Sequence, residues 1–223
     1  LLDTHTVTVN WGDGTPTETP TIFPGVGSAA LGGTHIYADD GVYKVTVTVT
    51  DNNGGSDTES FFVTVKNVVP TIDDVEVSAL SVDEGATFTI TAMFSDPGFN
   101  NPLNPNLPML PNIVDPRVES FTYDIDWGDG RDAVTGVVVM DVTNGGPGVL
   151  TTGSFGGSHV YADDGVYTVT LRVRDDNGGE AVHMVMVTVT NVAPTLVLPN
   201  GDQTISEGQT LTLADLATFT DPG

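Results

Sequence analysis

Cysteine is absent from the 223 residues, and basic side chains nearly so: 6 Lys and Arg stand against 30 Asp and Glu, for a formal charge of −24. Without cysteine there is no disulfide framework, no thiolate zinc centre and no cysteine nucleophile. Six scattered cations cannot build the basic face that tracks a phosphate backbone, so nucleic acid is excluded as a partner. No apolar run approaches the roughly 18–20 residues of a membrane helix, and no basic segment precedes an apolar one at the start; no membrane insertion is expected. Helical periodicity is missing as well. The four histidines lie near no nucleophile elbow and close no catalytic constellation, so no enzyme is expected within these residues.

What is abundant is aspartate in loops. The chain holds 23 Asp and 7 Glu, most of the Asp beside Gly, Asn or Pro. Asp competes for its own backbone and belongs in turns, whereas charge carried on helices favours Glu. Between the turns, Val45, Val47 and Val49 alternate with Thr46, Thr48 and Thr50, and Val169, Leu171 and Val173 with Thr168, Thr170 and Arg172. A period of two with β-branched residues marks half-buried strands, valine inward and threonine outward. The fold class expected is all-β.

The strands repeat. HIYADDGVYKVTVTVTDNNGGSDTESFFVTVKNVVPT, from His35 to Thr71, returns as HVYADDGVYTVTLRVRDDNGGEAVHMVMVTVTNVAPT, from His159 to Thr195. WGDG occurs at Trp11 and Trp127, Glu-Gly at Glu84 and Glu207, and Asp-Pro-Gly at Asp96 and Asp221. Residues 1–69 form a module lacking its first two strands, 70–193 a complete one, and 194–223 the first two strands of another. Reading Gly223 into Leu1 restores a normal module order. The chain is therefore expected to be one period of a longer array, or a subunit whose last strands complete the next subunit.

WGDG, followed by H-x-Y-x-x-x-G-x-Y-x-V-T-x-x-V and Asp-x-x-Gly-Gly, resembles the polycystic kidney disease (PKD) domain. This resemblance covers both modules. It implies tandem immunoglobulin-like β-sandwiches in extracellular, secreted or cell-surface proteins, as in bacterial-type adhesins and fibres. The added Glu-Gly and Asp-Pro-Gly turns look like the calcium-linked junctions of cadherin-type repeats. Alternation puts Trp127 on the core side with Ile125, and the repeated His35 and His159 are expected to hold a corner through a backbone carbonyl.

Loops of such a sandwich alternate between its two ends, so each linker gathers acids from two beads. Before the complete module these are Asp13, Asp39, Asp40 and Asn67 with Asp96, Asp175, Asp176 and Asn177; after it, Glu84, Asp129, Asp163, Asp164 and Asn191 with Asp221. Asp51, Asn53 and Glu207 occupy the equivalent turns at the remaining ends. Calcium takes about 6–8 oxygens from carboxylates, Asn and backbone carbonyls, and is the expected cofactor; magnesium wants a smaller cage and zinc wants His or Cys.

The complete module also carries an insertion, 99–116, in which Pro102, Pro105, Pro108 and Pro111 recur every third residue, the polyproline II period of a stiff arm. Leu103, Leu107, Met109 and Leu110 on that arm, and Phe62, Met184 and Met186 on otherwise Thr-bearing sheet faces, are candidate interface residues. The expected function is a structural, calcium-stiffened repeat of an extracellular filament or surface adhesin, its partners neighbouring copies of the same repeat. The alternative is an accessory module of a secreted hydrolase that binds a surface glycan or protein ligand.

Overall fold

The computed structural model describes residues 4–104, 118–131, 133–137, 142–198, 201–214 and 216–223. Every regular element is a strand: β1 (His5–Asn10), β2 (Thr21–Gly25), β3 (Ser28–Gly32), β4 (Gly41–Asp51), β5 (Ser56–Val65), β6 (Thr71–Val77), β7 (Ser81–Asp83), β8 (Thr87–Asp96), β9 (Phe121–Asp126), β10 (Val134–Val137), β11 (Thr151–Val160), β12 (Gly165–Asp175), β13 (Glu180–Thr190), β14 (Thr195–Val197) and β15 (Thr218–Thr220). The all-β expectation holds.

In the central bead a five-stranded sheet, β10-β9-β12-β13-β7, faces a three-stranded one, β11-β8-β6. Alternation dictates this packing. Phe88, Ile90, Ala92 and Phe94 of β8 point to one side and are buried against Ile125, Trp127, Val169, Leu171, Val173 and Val187 of the facing sheet. Trp127 thus lies in the core with Ile125, as the period-2 pattern predicts. On the outer face of the larger sheet, Asp124 accepts hydrogen bonds from Arg172 Nη1 at 2.9 Å and Arg174 Nη1 at 2.5 Å, and Arg174 Nε reaches Glu180 Oε2 at 2.6 Å.

The N-terminal segment has one such sheet, β1-β4-β5, and a hairpin, β2-β3; β14 and β15 form a separate two-stranded ribbon. The WGDG turn shows why its first glycine is needed. Gly12 and Gly128 have φ of 85° and 79°, and a Cβ on either would fall 2.5 Å from the carbonyl oxygen of Lys44 or Thr168. Left-handed backbone and close strand approach both demand glycine.

The two beads differ at one buried donor. Trp11 Nε1 donates to Glu18 Oε2 at 3.1 Å, and Glu18 is bridged to Val9 of β1. The corresponding Trp127 Nε1 is buried without a partner, and the residue opposite Ile125, the counterpart of Val9, is Val134. Val134→Glu should supply the missing acceptor and stabilise the bead by about 1 kcal/mol, the usual net worth of a hydrogen bond. An unchanged or lowered melting temperature would count against it.

Candidate metal centre

Each bead carries an aromatic corner. Trp127 stacks on His159 with ring centroids 5.0 Å apart, His159 meets Tyr161 edge-on at 4.7 Å, and Tyr161 stacks on Tyr167 at 4.3 Å. Trp11, His35, Tyr37 and Tyr43 repeat it at 5.0, 4.8 and 4.4 Å. The tyrosines donate to the Trp carbonyls, Tyr161 at 2.9 Å and Tyr37 at 3.1 Å. The histidines bond a carboxylate rather than the expected carbonyl: His35 Nε2 lies 2.8 Å from Asp13 Oδ2, and His159 Nε2 2.8 Å from Asp129 Oδ2. Burial pushes Asp13 and Asp129 up, but hydrogen bonds from Thr15 and His35 to the one, and from Arg131 and His159 to the other, hold both below the ordinary carboxylate range. These two aspartates therefore build the corners, and their carboxylates are engaged there.

The first junction lies where the N-terminal segment meets the central bead. The linker residue Asn67 donates through Nδ2 to Asp175 Oδ2 at 2.9 Å, and Asn177 Nδ2 bonds Asp40 Oδ1. Asp175 Oδ1 also accepts the amides of Asn177 and Gly179, at 3.1 and 2.6 Å, so this side chain closes its own turn and clamps the linker. The Phe99 amide donates to the Ala38 carbonyl at 3.0 Å, and Asn101 Nδ2 to the Asp13 carbonyl at 3.0 Å.

Between these contacts is a cavity of about 100 Å³ lined by Asp39, Asp40, Asn67, Asp96, Gly98 and Glu119. Asp96 is buried; its Oδ1 accepts the Gly98 amide at 2.7 Å, while its Oδ2 has no partner. Burial, then the charges of Asp175 and Asp176, push Asp96 up to about 6 against the Gly98 amide. Burial with Asp40 and Asp176 does the same to Asp39, also to about 6. Glu119 is driven well up by burial and by Asp176, Asp96 and Asp39, and its carboxyl hydrogen-bonds that of Asp176. Lys66 lines the cavity too, with no ion pair among the described residues.

Glu119 was not singled out from the sequence because it follows the insertion. The register supplies the signal: Phe121 pairs with Asp175, which puts residue 119 at the same end as Asp175 and Asp176.

At the second junction, carboxylate oxygens of Glu84, Asp163 and Asp164 all lie within 4.8 Å of one another. Glu84 is buried and its Oε1 accepts the Val192 amide at 2.8 Å. The Asp221 turn packs here, so close that a Cβ on Gly85 would fall 2.6 Å from Pro222 Cβ. Asp221 itself is exposed and accepts the Gly223 amide at 3.1 Å, and Asn191 is exposed. Away from both junctions, Asp51 accepts the amides of Asn53 and Gly55, each at 2.8 Å, and Glu207 lies in an exposed turn.

Phe62, Met184 and Met186 are 70, 63 and 66% exposed, on the outward faces beside Lys44, Thr170 and Thr168. Leu103 is exposed; Leu107, Met109 and Leu110 lie outside the described residues. The base of the insertion is no free arm, because Phe99 and Asn101 bond the N-terminal segment and Asn100 Oδ1 accepts the Glu119 amide at 2.7 Å.

These corners and turns are also what comparison with known proteins picks out. Residues 2–65 match the family model of the PKD domain. That span runs from the start of the N-terminal sheet through the WGDG turn and the His35 corner to Val65, the end of β5. PKD domains are non-catalytic, typically extracellular modules. The PKD domain of an M14-like peptidase from Thermoplasmatales archaeon SCGC AB-540-F20 is similar at 22% identity, over 56% of this chain and 98% of that one, with a TM-score of 0.35. No curated protein matches the chain. Among the described residues no helix is long and apolar enough to cross a membrane.

The raised pKa values carry a sign. A carboxyl whose folded pKa lies above its unfolded one, about 3.9 for Asp, opposes folding when ionised; the penalty is full above the folded value and gone below the unfolded one. With Asp39 and Asp96 near 6, the metal-free protein should melt at a higher temperature at pH 5.5 than at pH 7.5. A melting temperature that falls over that interval in excess EDTA would contradict the cluster.

Proposed function

We propose that the chain is a structural repeat of an extracellular filament or surface adhesin, and that calcium stiffens the joints between its beads. The observation that carries this reading is the first junction. Asp96 presents a buried, unpartnered oxygen to a cavity shared with Asp39, Asp40 and Glu119, and the groups come from two beads. A hard divalent cation fits that chemistry, because it accepts several carboxylate and carbonyl oxygens without demanding a rigid cage. Asp39, Asp96, Glu119 and Asp176 would hold the ion at the first joint, and Glu84, Asp163 and Asp164 at the second. Once bound, the ion would replace mutual repulsion by attraction between groups on neighbouring beads, and the joint would resist bending.

The linkers suit such a role. Asn67 to Pro70 and Asn191 to Pro194 are short and end in proline, and Asn67 is already tied to Asp175. The alternative, an accessory module of a secreted hydrolase, draws on the family model, with the exposed Phe62, Met184 and Met186 as its candidate contact surface.

Calcium at about a hundred times its dissociation constant contributes roughly 2.7 kcal/mol per site, which in a chain of this size raises the melting temperature by roughly 5–10 °C. Scanning calorimetry with calcium and then with excess EDTA reads this directly. Asp96→Asn should act in two directions, raising the melting temperature of the metal-free protein and shrinking the calcium increment. Identical melts with calcium and with EDTA would end the proposal.

A further inference from the structure

The N-terminal sheet and the C-terminal ribbon are each half of a sandwich. In the central bead Trp127, Leu171, Val173 and Val187 are buried under β6 and β8. Their counterparts Trp11, Val47, Val49 and Val63 are only half-buried, and Phe61, opposite Val45 on the same face, is 55% exposed. A cavity of about 230 Å³ lies over this face, lined by Val9, Trp11, Leu31, Val45, Val47 and Phe61.

The ribbon shows the reverse deficit. Leu196, Leu211, Leu216 and Phe219 are exposed, Phe219 by 72%. An isolated two-stranded ribbon is marginal in water. Its register is that of the central bead: Thr195 pairs with Thr220 and Leu196 with Phe219, as Thr71 pairs with Ser95 and Ile72 with Phe94. The ribbon is a β6-β8 pair without a sheet to cover.

The two halves of one chain cannot meet. The N-terminal segment contacts the Asp96 and Asp175 end of the central bead, and the ribbon its Glu84 and Ala162 end. The ten residues of β8 between them span roughly 30 Å.

We propose that the apolar face of β1-β4-β5 is the docking site for residues 194–223 of a second copy of this chain, whose ribbon supplies the missing second sheet. Phe219 takes the place of Phe94, and Leu211 that of Phe88, whose ring lies 6.2 Å from Trp127; Leu211 thus covers Trp11. Docking also delivers Glu207, the counterpart of Glu84, beside Asp39 and Asp40, where Glu84 stands beside Asp163 and Asp164 in the central bead. One strand pair then completes both a core and a carboxylate cluster, a strand-addition mode whose specificity comes from alternate side chains. The inference rests on the reading of the chain as an end-to-end repeat, but apolar burial drives it, so it is measurable without calcium.

Sedimentation of the 223-residue chain in excess EDTA tests it. The weight-average mass should climb above 23.3 kDa as concentration rises. Excess synthetic peptide of residues 194–223 should cap the growing chains, return the mass to one chain plus one peptide, and shift the emission of the half-buried Trp11. The Leu211→Asp/Phe219→Asp double variant alters only exposed side chains and should remain monomeric with an unchanged main melting transition. A Glu207→Gln peptide should cap equally well in EDTA while weakening calcium binding by the capped complex, relative to the unmodified peptide, about tenfold. A chain that stays monomeric at all concentrations, with no response of mass or Trp11 emission to the peptide, overturns the proposal. So does unchanged self-association of the double variant.

Discussion

Everything at the joints follows from the scarcity of cations. Of the six basic side chains, Arg172 and Arg174 are spent on Asp124 and Glu180 along the outer face of the central bead, and Arg131 on Asp129 in its corner, 3.4 Å away. That leaves Lys66 beside Asp39, Asp40, Asp96 and Glu119. Two like charges about 4 Å apart repel by roughly 4 kcal/mol at an effective dielectric of about 20. A single ammonium cannot neutralise four such groups drawn from two beads, so the chain alone settles the conflict with protons. The raised values of Asp39 and Asp96 and the carboxyl-to-carboxyl hydrogen bond of Glu119 with Asp176 are its record.

The aromatic corners keep those acids where they are. Tyr43 and Tyr167 donate to the carbonyls of Asp39 and Asp163, so the turn that presents each Asp-Asp pair is tied to the same stack that carries the Trp and His rings. The bead and its joint are thereby one mechanical unit. A histidine bonded to Asp13 or Asp129 serves the interior, while the next carboxylates along the chain serve the exterior. Two classes of aspartate in near-identical Gly-rich turns thus have opposite electrostatics, one held below the ordinary range and the other pushed above it.

Much of this was legible in the sequence, for identifiable reasons. Strand faces were readable because alternation has a period of two, and Trp127 fell inward by the same rule as Ile125. The grouping of Asp40, Asn67, Asp175 and Asn177 was readable because loops of a sandwich alternate between its ends. The partner of His35 and His159 was not. Asp13 lies 22 residues from His35, and only the folded corner brings a carboxylate rather than a carbonyl to the ring. Glu119 was hidden behind the insertion, whose length obscured the register that places it beside Asp176. The insertion itself read as a stiff arm from its proline period, yet its base is a brace, since Phe99 and Asn101 spend their donors on carbonyls of the preceding segment.

The internal repeat adds a coupling that neither joint shows alone. In the central bead the strand that opens the sandwich runs directly from Glu84 into Phe88, so carboxylate and core aromatic sit four residues apart on one element. The same spacing separates Glu207 from Leu211 in the ribbon. An element that buries its apolar residues against a sheet therefore positions its glutamate at the joint in the same motion. Apolar docking sets how long two halves stay together, because it does not depend on the metal. Cation occupancy sets how stiff the joint is, because it acts on groups that docking has already assembled. A repeat built this way can form chains wherever its concentration allows and harden them only where calcium is abundant.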